Sequence, residues 1–272
     1  MKITSSIHNH CTHCDGKNTP REMVESAIRA GFTDFGFSSH SFIECNPSDW
    51  TMRDEEQYKN EIFALKKEYE GKINLYCGIE VEYSSLPRDK KGYDYLIDSV
   101  HELKVGDKYY SVDGSASGFE KAINEGFDGN AYKLSKAYYD TVCRMIEDRS
   151  PKLVCHFDLV TKFNEKMRFF DEGDKRYLTP LYQSLNFAIE RGAIIELNFG
   201  AIARKYKSTP YPASYTLAHL RKNGAKIMIG SDCHNSEYVD FGFKEGAELL
   251  LENGFKTVVV YMNGEYVEKP LI

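Results

Sequence analysis

The stretch SIHNHCTHCDG, residues 6–16, places three histidines, two cysteines and an aspartate close together near the start of the chain. Imidazole nitrogens, thiolates and carboxylates are the side-chain groups that bind transition metals in proteins. In an extended segment the side chains of residues i and i+2 point the same way, so His8 and His10 can bind one ion together. The stretch therefore predicts part of a metal site whose other ligands lie elsewhere in the chain.

Further candidate ligands occur at the ends of segments that are predicted to be β-strands. Six of the eight histidines lie at or just past the C-terminal end of such a segment: His8, His10, His40, His101, His156 and His234. The carboxylates of Glu80 and Asp232 lie at strand ends as well. In a parallel α/β barrel the C-terminal ends of the strands meet on one face, where active sites are built. These residues are therefore expected to be neighbours in space.

The remaining histidines and the cysteines have simpler interpretations. His13 and His219 are interpreted as ordinary surface or core residues. Cys11 and Cys14 form a C-x-x-C motif without a second pair, so a zinc ribbon or a redox motif stays open only as an alternative. Cys233 lies between two candidate ligands and can face either way. The other cysteines are predicted to be small buried residues: Cys45, Cys77, Cys143 and Cys155.

Predicted strands and amphipathic helices alternate along the chain. Strands are predicted over residues 2–8, 33–40, 73–83, 95–103, 152–159, 193–199, 225–232 and 257–262, and helices over 20–31, 54–71, 131–148, 178–191, 214–223 and 242–253. Residues 104–130 are predicted to be an irregular insertion that crosses one face. The alternation predicts an α/β fold with a mostly parallel sheet. A single barrel-like domain over residues 1–272 is the economical solution, and an open doubly wound sheet is the alternative.

Composition and charge narrow the class of protein. The chain has 272 residues, of which 42% are hydrophobic, and a net charge of −6. No nucleic-acid partner is expected, because affinity for nucleic acid rests on Lys and Arg that neutralise phosphates. No membrane partner is expected either, since there is no signal peptide and no apolar run of about 20 residues. An odd number of scattered cysteines is typical of reduced thiols, which favours a cytoplasmic location.

The order and spacing of the candidate ligands resemble the PHP (polymerase and histidinol phosphatase) superfamily. The resemblance is carried by His8-x-His10, Asp15-Gly16, Ser39-His40, Glu80, His101, His156 and Asp232-x-His234. Within that family the chain looks most like the histidinol-phosphatase branch, through the segments SVHEL, CHFDLVTKF, IIELNFGAIARK and GSDCH. The resemblance implies a distorted (βα)7 TIM-like barrel whose metal site lies at the C-terminal ends of the strands.

The resemblance also implies a centre of three divalent metal ions. It assigns the first ion to His8, His10, Glu80 and Asp232, the second to Glu80, His101 and His156, and the third to Asp15, His40 and His234. Many relatives have His or Glu at the position of Asp15. Imidazole and carboxylate donors suit Mn, Fe or Zn.

The activity implied is the hydrolysis of L-histidinol phosphate, a small phosphate monoester, in histidine biosynthesis. Three dications can bind the oxygens of a phosphate and offset the charge that develops in the transition state. Our hypothesis is that a hydroxide bridging the first two ions attacks phosphorus, with the third ion on the leaving-group side. Glu80, Asp232 and His234 would be closest to the reaction, and either Asp232 or a metal-bound water would protonate the departing alkoxide.

Four residues are candidates for binding the substrate. Arg204 follows a strand end and resembles the family's phosphate-binding arginine, and its guanidinium suits phosphate oxygens. Lys162 follows His156 by six residues and is a candidate for a second cation. Both can also be ordinary surface charges. Phe42 and Asp113 are candidates for contacting the imidazole and the amine of histidinol.

Three other functions remain open. The first is another PHP phosphoesterase that acts on nucleotides or nucleic-acid ends, although the chain lacks the basic aromatic strip of such proteins. The second is a metal-dependent amidohydrolase, in which a carboxylated lysine often has the bridging role of Glu80. The third is a non-catalytic metal-binding or scaffold protein, in which some ligand positions would be expected to be lost.

Overall fold

The computed structural model describes residues 2–44, 50–85 and 91–271 of the chain. Predictions that concern Cys45 therefore lie outside the described residues. The main sheet consists of β1 Ser5–Ser6, β2 Asp34–Phe37, β3 Asn74–Glu82, β4 Tyr95–Ser99, β7 Leu153–Val154, β8 Ile194–Asn198, β9 Lys226–Gly230, β10 Thr257–Met262 and β11 Glu265–Pro270. A separate hairpin consists of β5 Glu102–Val105 and β6 Lys108–Ser111.

Helices connect and cover these strands. They are α1 Pro20–Ala30, α2 Glu55–Glu68, α3 Ala116–Lys121, α4 Ala131–Arg149, α5 Asn164–Met167, α6 Lys175–Glu190, α7 Gly200–Ala203, α8 Leu217–Lys222 and α9 Phe243–Glu252. In the described part of the chain, no helix combines the length and the apolar composition needed to cross a membrane.

The main sheet follows the order of the chain, β1-β2-β3-β4-β7-β8-β9-β10-β11. All neighbouring strands from β1 to β10 are parallel, and only β11 runs antiparallel to its neighbour. The sheet curls until β1 reaches β10, where the Ser5 hydroxyl donates a hydrogen bond to the Tyr261 carbonyl at 2.5 Å. The predicted α/β barrel is therefore confirmed, and the alternative of an open doubly wound sheet is wrong.

The first helix shows how local sequence sets an element. Thr19 caps α1 and forms a capping box with Glu22, and Pro20 occupies the first turn. Gly31 ends the helix with a φ of 83°, a left-handed conformation that glycine adopts without steric cost. The buried face of α1 includes Met23 and Ala27. The helix therefore forms over the residues for which the sequence pattern predicts it.

The interior of the barrel is filled mainly by aromatic and aliphatic side chains. Tyr95 crosses the interior, and its hydroxyl lies 2.6 Å from the Ile7 carbonyl and 2.7 Å from the Phe37 carbonyl. Glycines at 36 and 78 leave room for this ring, since a Cβ at either position would lie within 2.3 Å of a Tyr95 atom. The tyrosine ring thus ties three strands together below the end of the barrel that carries the candidate ligands.

Several predicted boundaries are wrong, and the causes are local. The predicted strand 95–103 is two strands, β4 and β5, separated at Val100 and His101. The predicted strands 152–159 and 225–232 end early, because His156 and Asp232 have φ angles of 22° and 47° that an extended strand does not allow. The insertion 104–130 is not irregular, because it contains β6, α3 and a π-helical turn over Ala122–Gly126.

The last strand, β11, was not anticipated by the sequence pattern. Its residues, EYVEKP, combine two glutamates, a lysine and a proline. Charged residues and proline are depleted from strands in general but are typical of sheet edges, where they discourage pairing with other chains. The strand forms because a tight turn at Asn263 and Gly264 brings it back along β10.

Candidate metal centre

The C-terminal ends of the strands surround a cavity of about 260 Å³. Six of the nine predicted ligands line it: Asp15, His40, His101, His156, Asp232 and His234. The other three, His8, His10 and Glu80, lie against these residues and are at most 1% exposed. A wider cavity of about 470 Å³, between β4, the end of α4 and the β10–β11 turn, contains none of the predicted ligands.

Backbone pairing beyond the ends of the strands positions the candidate ligands. Residues 8–10 run parallel to residues 232–234, because the His10 N–H donates to the Cys233 carbonyl at 2.8 Å and the Cys233 N–H to the His8 carbonyl at 3.2 Å. His40 pairs in the same way with Glu80 on β3. Two of the candidate ligands, His156 and Asp232, have the left-handed backbone noted above, and such conformations concentrate at functional sites.

Glu80 is the centre of the site. Its Oε2 lies 3.3 Å from His8 Nε2, 3.5 Å from His10 Nε2 and 3.1 Å from His40 Nδ1. Its Oε1 lies 2.9 Å from His156 Nε2 and 3.4 Å from His101 Nε2. One carboxylate thus faces two sets of imidazoles with its two oxygens, which is the arrangement of a ligand that bridges two ions.

Two aspartates complete the set of carboxylates. Asp232 Oδ1 lies 3.2 Å from His10 Nε2 and 3.5 Å from His8 Nε2. Asp15 Oδ1 lies 3.1 Å from His234 Nε2 and 3.7 Å from His40 Nε2. Asp15, despite its short side chain, therefore reaches the two histidines with which it was grouped.

The donor atoms form overlapping groups that suit divalent metal ions. Ligand atoms within 4.8 Å of one another occur in His10, Asp15, His40 and His234, in His8, His10 and Glu80, in His8, His156 and Asp232, and in His40, Glu80 and His101. His10 Nε2 is buried and has no hydrogen-bond partner among the described residues, although two carboxylates face it. An imidazole nitrogen left in this way among carboxylate oxygens fits a cation between them.

Charges in the cluster shift the pKa values strongly. Burial raises the pKa of the Glu80 carboxyl, but His40 and His8 outweigh it and lower the pKa well below its usual range. Burial lowers the pKa of His101, but the carboxylates of Asp113, Glu82 and Glu80 raise it to about 10. Without metal ions, protons on His8, His40 and His101, whose pKa values are raised, offset the carboxylate charges, whereas burial and the neighbouring His234 and His40 lower the pKa of His10.

Two buried carboxylates hold the histidines that are candidate ligands from the side opposite the cavity. Glu196 Oε1 lies 2.7 Å from His8 Nδ1, and its Oε2 accepts hydrogen bonds from the His156 N–H at 3.1 Å and the Asn198 amide at 2.8 Å. Glu82 Oε2 lies 3.0 Å from His101 Nδ1. A carboxylate behind a histidine sets its tautomer and leaves Nε2 free for a metal ion.

Replacement of Glu196 by glutamine is expected to weaken metal retention. The amide cannot accept hydrogen bonds at both ends, so either His8 Nδ1 or the His156 N–H faces another donor. Loss of such a supporting group typically lowers metal affinity or activity about 10- to 100-fold. Competition with a chelator, followed by metal analysis, measures the effect against Glu190→Gln on the surface of α6. Equal retention in both variants would show that Glu196 does not orient His8.

The predicted substrate-binding residues have more specific partners than the sequence indicates. Arg204 Nη1 donates to the Asp232 carbonyl at 2.8 Å and lies 2.8 Å from His234 Nδ1, while Nη2 donates to Asp232 Oδ2 at 2.8 Å. Lys162 Nζ donates to the Asp113 carbonyl at 2.7 Å and lies 3.2 Å from its carboxylate. All of these residues line the cavity, but Phe42 does not.

Trp50 is an aromatic residue that lines the cavity and that the sequence analysis did not single out. Its ring contacts His40 edge-on at a centroid distance of 4.8 Å and lies 5.8 Å from His101. It is the only tryptophan in the chain, but nothing in the sequence pattern around it indicates a site. Glu196 and Glu82 could have been identified from the sequence, since each is a charged residue in a strongly apolar strand.

Most of the histidines and cysteines that were set aside lie outside the candidate ligand groups, and the exception is Cys155, which forms a group with His8 and Glu196. His13 Nε2 lies 2.8 Å from Glu61 Oε2, and His219 Nε2 lies 2.7 Å from Asn186 Oδ1. Cys11 and Cys14 form no disulfide, and the Cys14 sulfur lies 3.4 Å from His10 Nδ1. The Cys233 thiol donates to the Asn235 carbonyl at 3.0 Å. The C-x-x-C motif therefore packs against the segment that carries His10.

Comparison with known proteins gives consistent matches. A model of the PHP domain matches residues 6–199 of the chain. A Bacillus subtilis protein named histidinol-phosphatase is 27% identical over 259 residues, which cover 87% of this chain and 96% of that protein. A Schizosaccharomyces pombe protein named "Probable histidinol-phosphatase" is 25% identical over 286 residues, which cover 97% of this chain and 90% of that protein.

A solved structure shares the fold over nearly the whole chain. It is the histidinol phosphate phosphatase of Lactococcus lactis in complex with zinc, L-histidinol and phosphate, with a TM-score of 0.71 and 19% identity. The likeness covers 97% of this chain and 99% of that one. At this level of identity the match shows the common barrel architecture.

Proposed function

The chain belongs to the PHP domain family, and from this premise we propose that it hydrolyses L-histidinol phosphate to L-histidinol and phosphate in histidine biosynthesis. The observation that carries the proposal is the complete set of nine ligand-type side chains around one cavity of about 260 Å³. The names of the relatives, which match over 87% or more of this chain, point to the same reaction. The enzyme is therefore a metal-dependent phosphoric monoester hydrolase.

We propose that the site holds three divalent ions, of Mn, Fe or Zn. His8, His10, Glu80 and Asp232 hold the first ion, Glu80, His101 and His156 the second, and Asp15, His40 and His234 the third. The zinc in the Lactococcus lactis complex supports a divalent metal at such a site. The donor groups His8, His10, Glu80 and His10, Asp15, His40, His234 support the first and third ions, and the approach of His101 and His156 to Glu80 Oε1 supports the second. When bound, such ions acidify water and neutralise phosphate oxygens.

Two positively charged side chains lie where they could bind the phosphate group of a substrate. Arg204 and Lys162 both line the cavity, and each is anchored by a carboxylate, Asp232 or Asp113. The guanidinium binds phosphate oxygens while it keeps Asp232 in place. Trp50 and Asp113 line the same cavity and offer an aromatic surface and a carboxylate to the imidazole and the amine of histidinol.

Asp232 is held in the ionised form and is therefore unsuited to donate a proton to the leaving group. Burial raises the pKa of Asp232, but Arg204 and His8 outweigh it and lower the pKa well below its usual range. Of the two proton donors considered from the sequence, we favour a water molecule over Asp232. The role of Asp232 is then to hold His8 and His10 in position and to contribute an oxygen to the first ion.

We also propose that residues 1–272 form one domain in which the insertion 104–130 covers the cavity. The support is that Asp113 and Gly114, which follow β6, line the cavity together with the ligands at the strand ends. Lys162, which follows the short strand β7, reaches across to Asp113. The insertion thus contributes to the substrate site of the barrel.

Release of phosphate from a panel of phosphate monoesters tests the proposed reaction. With Mn, Fe or Zn present, kcat/KM for histidinol phosphate is expected to exceed that for p-nitrophenyl phosphate, nucleoside monophosphates and sugar phosphates. The alanine variant of Trp50 is the matched comparison, because it removes a surface for the imidazole and leaves the metal ligands intact. A wild-type enzyme that prefers nucleotides would refute the assignment of the substrate.

A further inference from the structure

Tyr211 lines the cavity of about 260 Å³ that the candidate metal ligands surround, and none of the roles above uses it. It lies in the loop after α7, and its backbone exchanges two hydrogen bonds with Asn198 at the end of β8, at 2.6 and 2.9 Å. Its side chain lines the cavity together with His156, Arg204 and Asp232. The residue is only 1% exposed, so the ring is held firmly in place.

The hydroxyl of Tyr211 has no hydrogen-bond partner among the described residues. Buried polar groups are nearly always hydrogen-bonded, and leaving one unpaired costs free energy. Burial raises the pKa of this hydroxyl well above its usual value, so it keeps its proton and remains a donor. A rigid, protonated and unpaired donor on the wall of a cavity indicates that its acceptor is a ligand.

We propose that the Tyr211 hydroxyl donates a hydrogen bond to a phosphoryl oxygen of the bound substrate. This inference rests on the proposed phosphatase function. The phosphoryl group is the acceptor that fits, because Tyr211 shares the cavity wall with Arg204 and with the ligands His156 and Asp232. A charged phosphoryl oxygen is also the acceptor to which a neutral donor binds most strongly.

The main competing explanation is a buried water. Within the described ranges Asp158 Oδ1 also has no hydrogen-bond partner, and among charged groups the Asp158 carboxylate has the largest effect on the pKa of Tyr211, which it raises. A water bridging the two would be structural, and loss of the hydroxyl would then lower stability. A hydroxyl whose acceptor is a substrate oxygen has no partner in the free enzyme. Its loss then does not lower the stability of the free enzyme.

The variant Tyr211→Phe separates the two explanations. We expect its melting temperature, without phosphate, to equal or exceed that of the wild type. We expect kcat/KM to fall about 10- to 100-fold, the range for a hydrogen bond to a charged group. The factor should be the same for histidinol phosphate and p-nitrophenyl phosphate, because the phosphoryl group is common to both. Metal content should be unchanged.

Tyr139→Phe is the matched control. The Tyr139 hydroxyl is equally buried but donates to the Tyr177 hydroxyl at 2.9 Å, outside the cavity. This variant should lose stability and keep its activity, the reverse of Tyr211→Phe. Full activity of Tyr211→Phe, a lower melting temperature, or a loss confined to histidinol phosphate would each overturn the inference.

Titration of inorganic phosphate into the zinc-loaded proteins keeps this test separate from that of the proposed function. The dissociation constant of phosphate should be at least about 10-fold weaker for Tyr211→Phe than for the wild type. Equal dissociation constants for the two proteins would overturn the inference, whatever their turnover of substrate. A wild type that binds phosphate but cleaves no phosphate monoester would instead refute the proposed function.

Discussion

The variant Glu80→Gln is expected to lose at least about 10³-fold in turnover of histidinol phosphate, which exceeds the 10- to 100-fold typical of a supporting residue. Both oxygens of Glu80 face histidines, His8, His10 and His40 on one side and His101 and His156 on the other. An amide has the same shape, but its nitrogen has no lone pair to offer a cation. One of the two sets of imidazoles therefore loses its shared carboxylate.

Three measurements make this prediction specific. Phosphate release gives the loss of activity, metal analysis should give fewer ions per chain than in the wild type, and circular dichroism should show the native fold. Glu248→Gln, on the surface of α9, is the control for the same chemical change. Wild-type turnover in the Glu80 variant would exclude a bridging carboxylate and with it the proposed catalytic centre.

That the candidate ligands lie together is predictable from sequence because two simple regularities coincide. Parallel strands end on one face of the barrel, and a residue at the end of a strand projects toward that face. His40 and Glu80 illustrate this, since they lie 40 residues apart in the chain but on paired extended segments. The capped helix α1 is predictable for a similar reason, because Thr19, Pro20 and Gly31 mark its ends.

What the sequence does not indicate depends on contacts between distant segments. Trp50 reaches His40 and His101 from an irregular segment, and no periodicity predicts where such a segment runs. The early ends of β7 and β9 arise because His156 and Asp232 take left-handed backbone conformations, which non-glycine residues rarely adopt and which no local pattern predicts. Arg204 illustrates the same limit. A guanidinium suggests a phosphate ligand, but only the structure reveals the hydrogen bond that Arg204 donates to Asp232.

Removal of the metal ions is expected to abolish turnover and to lower the melting temperature. In the loaded protein, the cations balance the buried carboxylates of Glu80 and Asp232. In the stripped protein, this balance depends on protons bound to the histidines, and His8 and His40 have raised pKa values for that reason, despite their burial. Dialysis against a chelator followed by readdition of Mn, Fe or Zn should restore both properties. Unchanged activity after complete stripping would contradict the role of the ions.

The loss of stability in the stripped protein should depend on pH in a defined direction. Burial lowers the pKa of His101, but Asp113, Glu82 and Glu80 raise it to about 10, compared with 6.5 for the unfolded chain. A pKa that is higher in the folded state adds stability below about pH 6.5, and this stability is lost as the pH rises toward 10. In the loaded protein His101 is neutral throughout, so the gap in melting temperature between the two forms should widen from pH 6.5 to 9.5. In the variant His101→Gln, this gap in melting temperature should widen less. A gap that does not change with pH would show that protons do not replace the ions in the stripped protein.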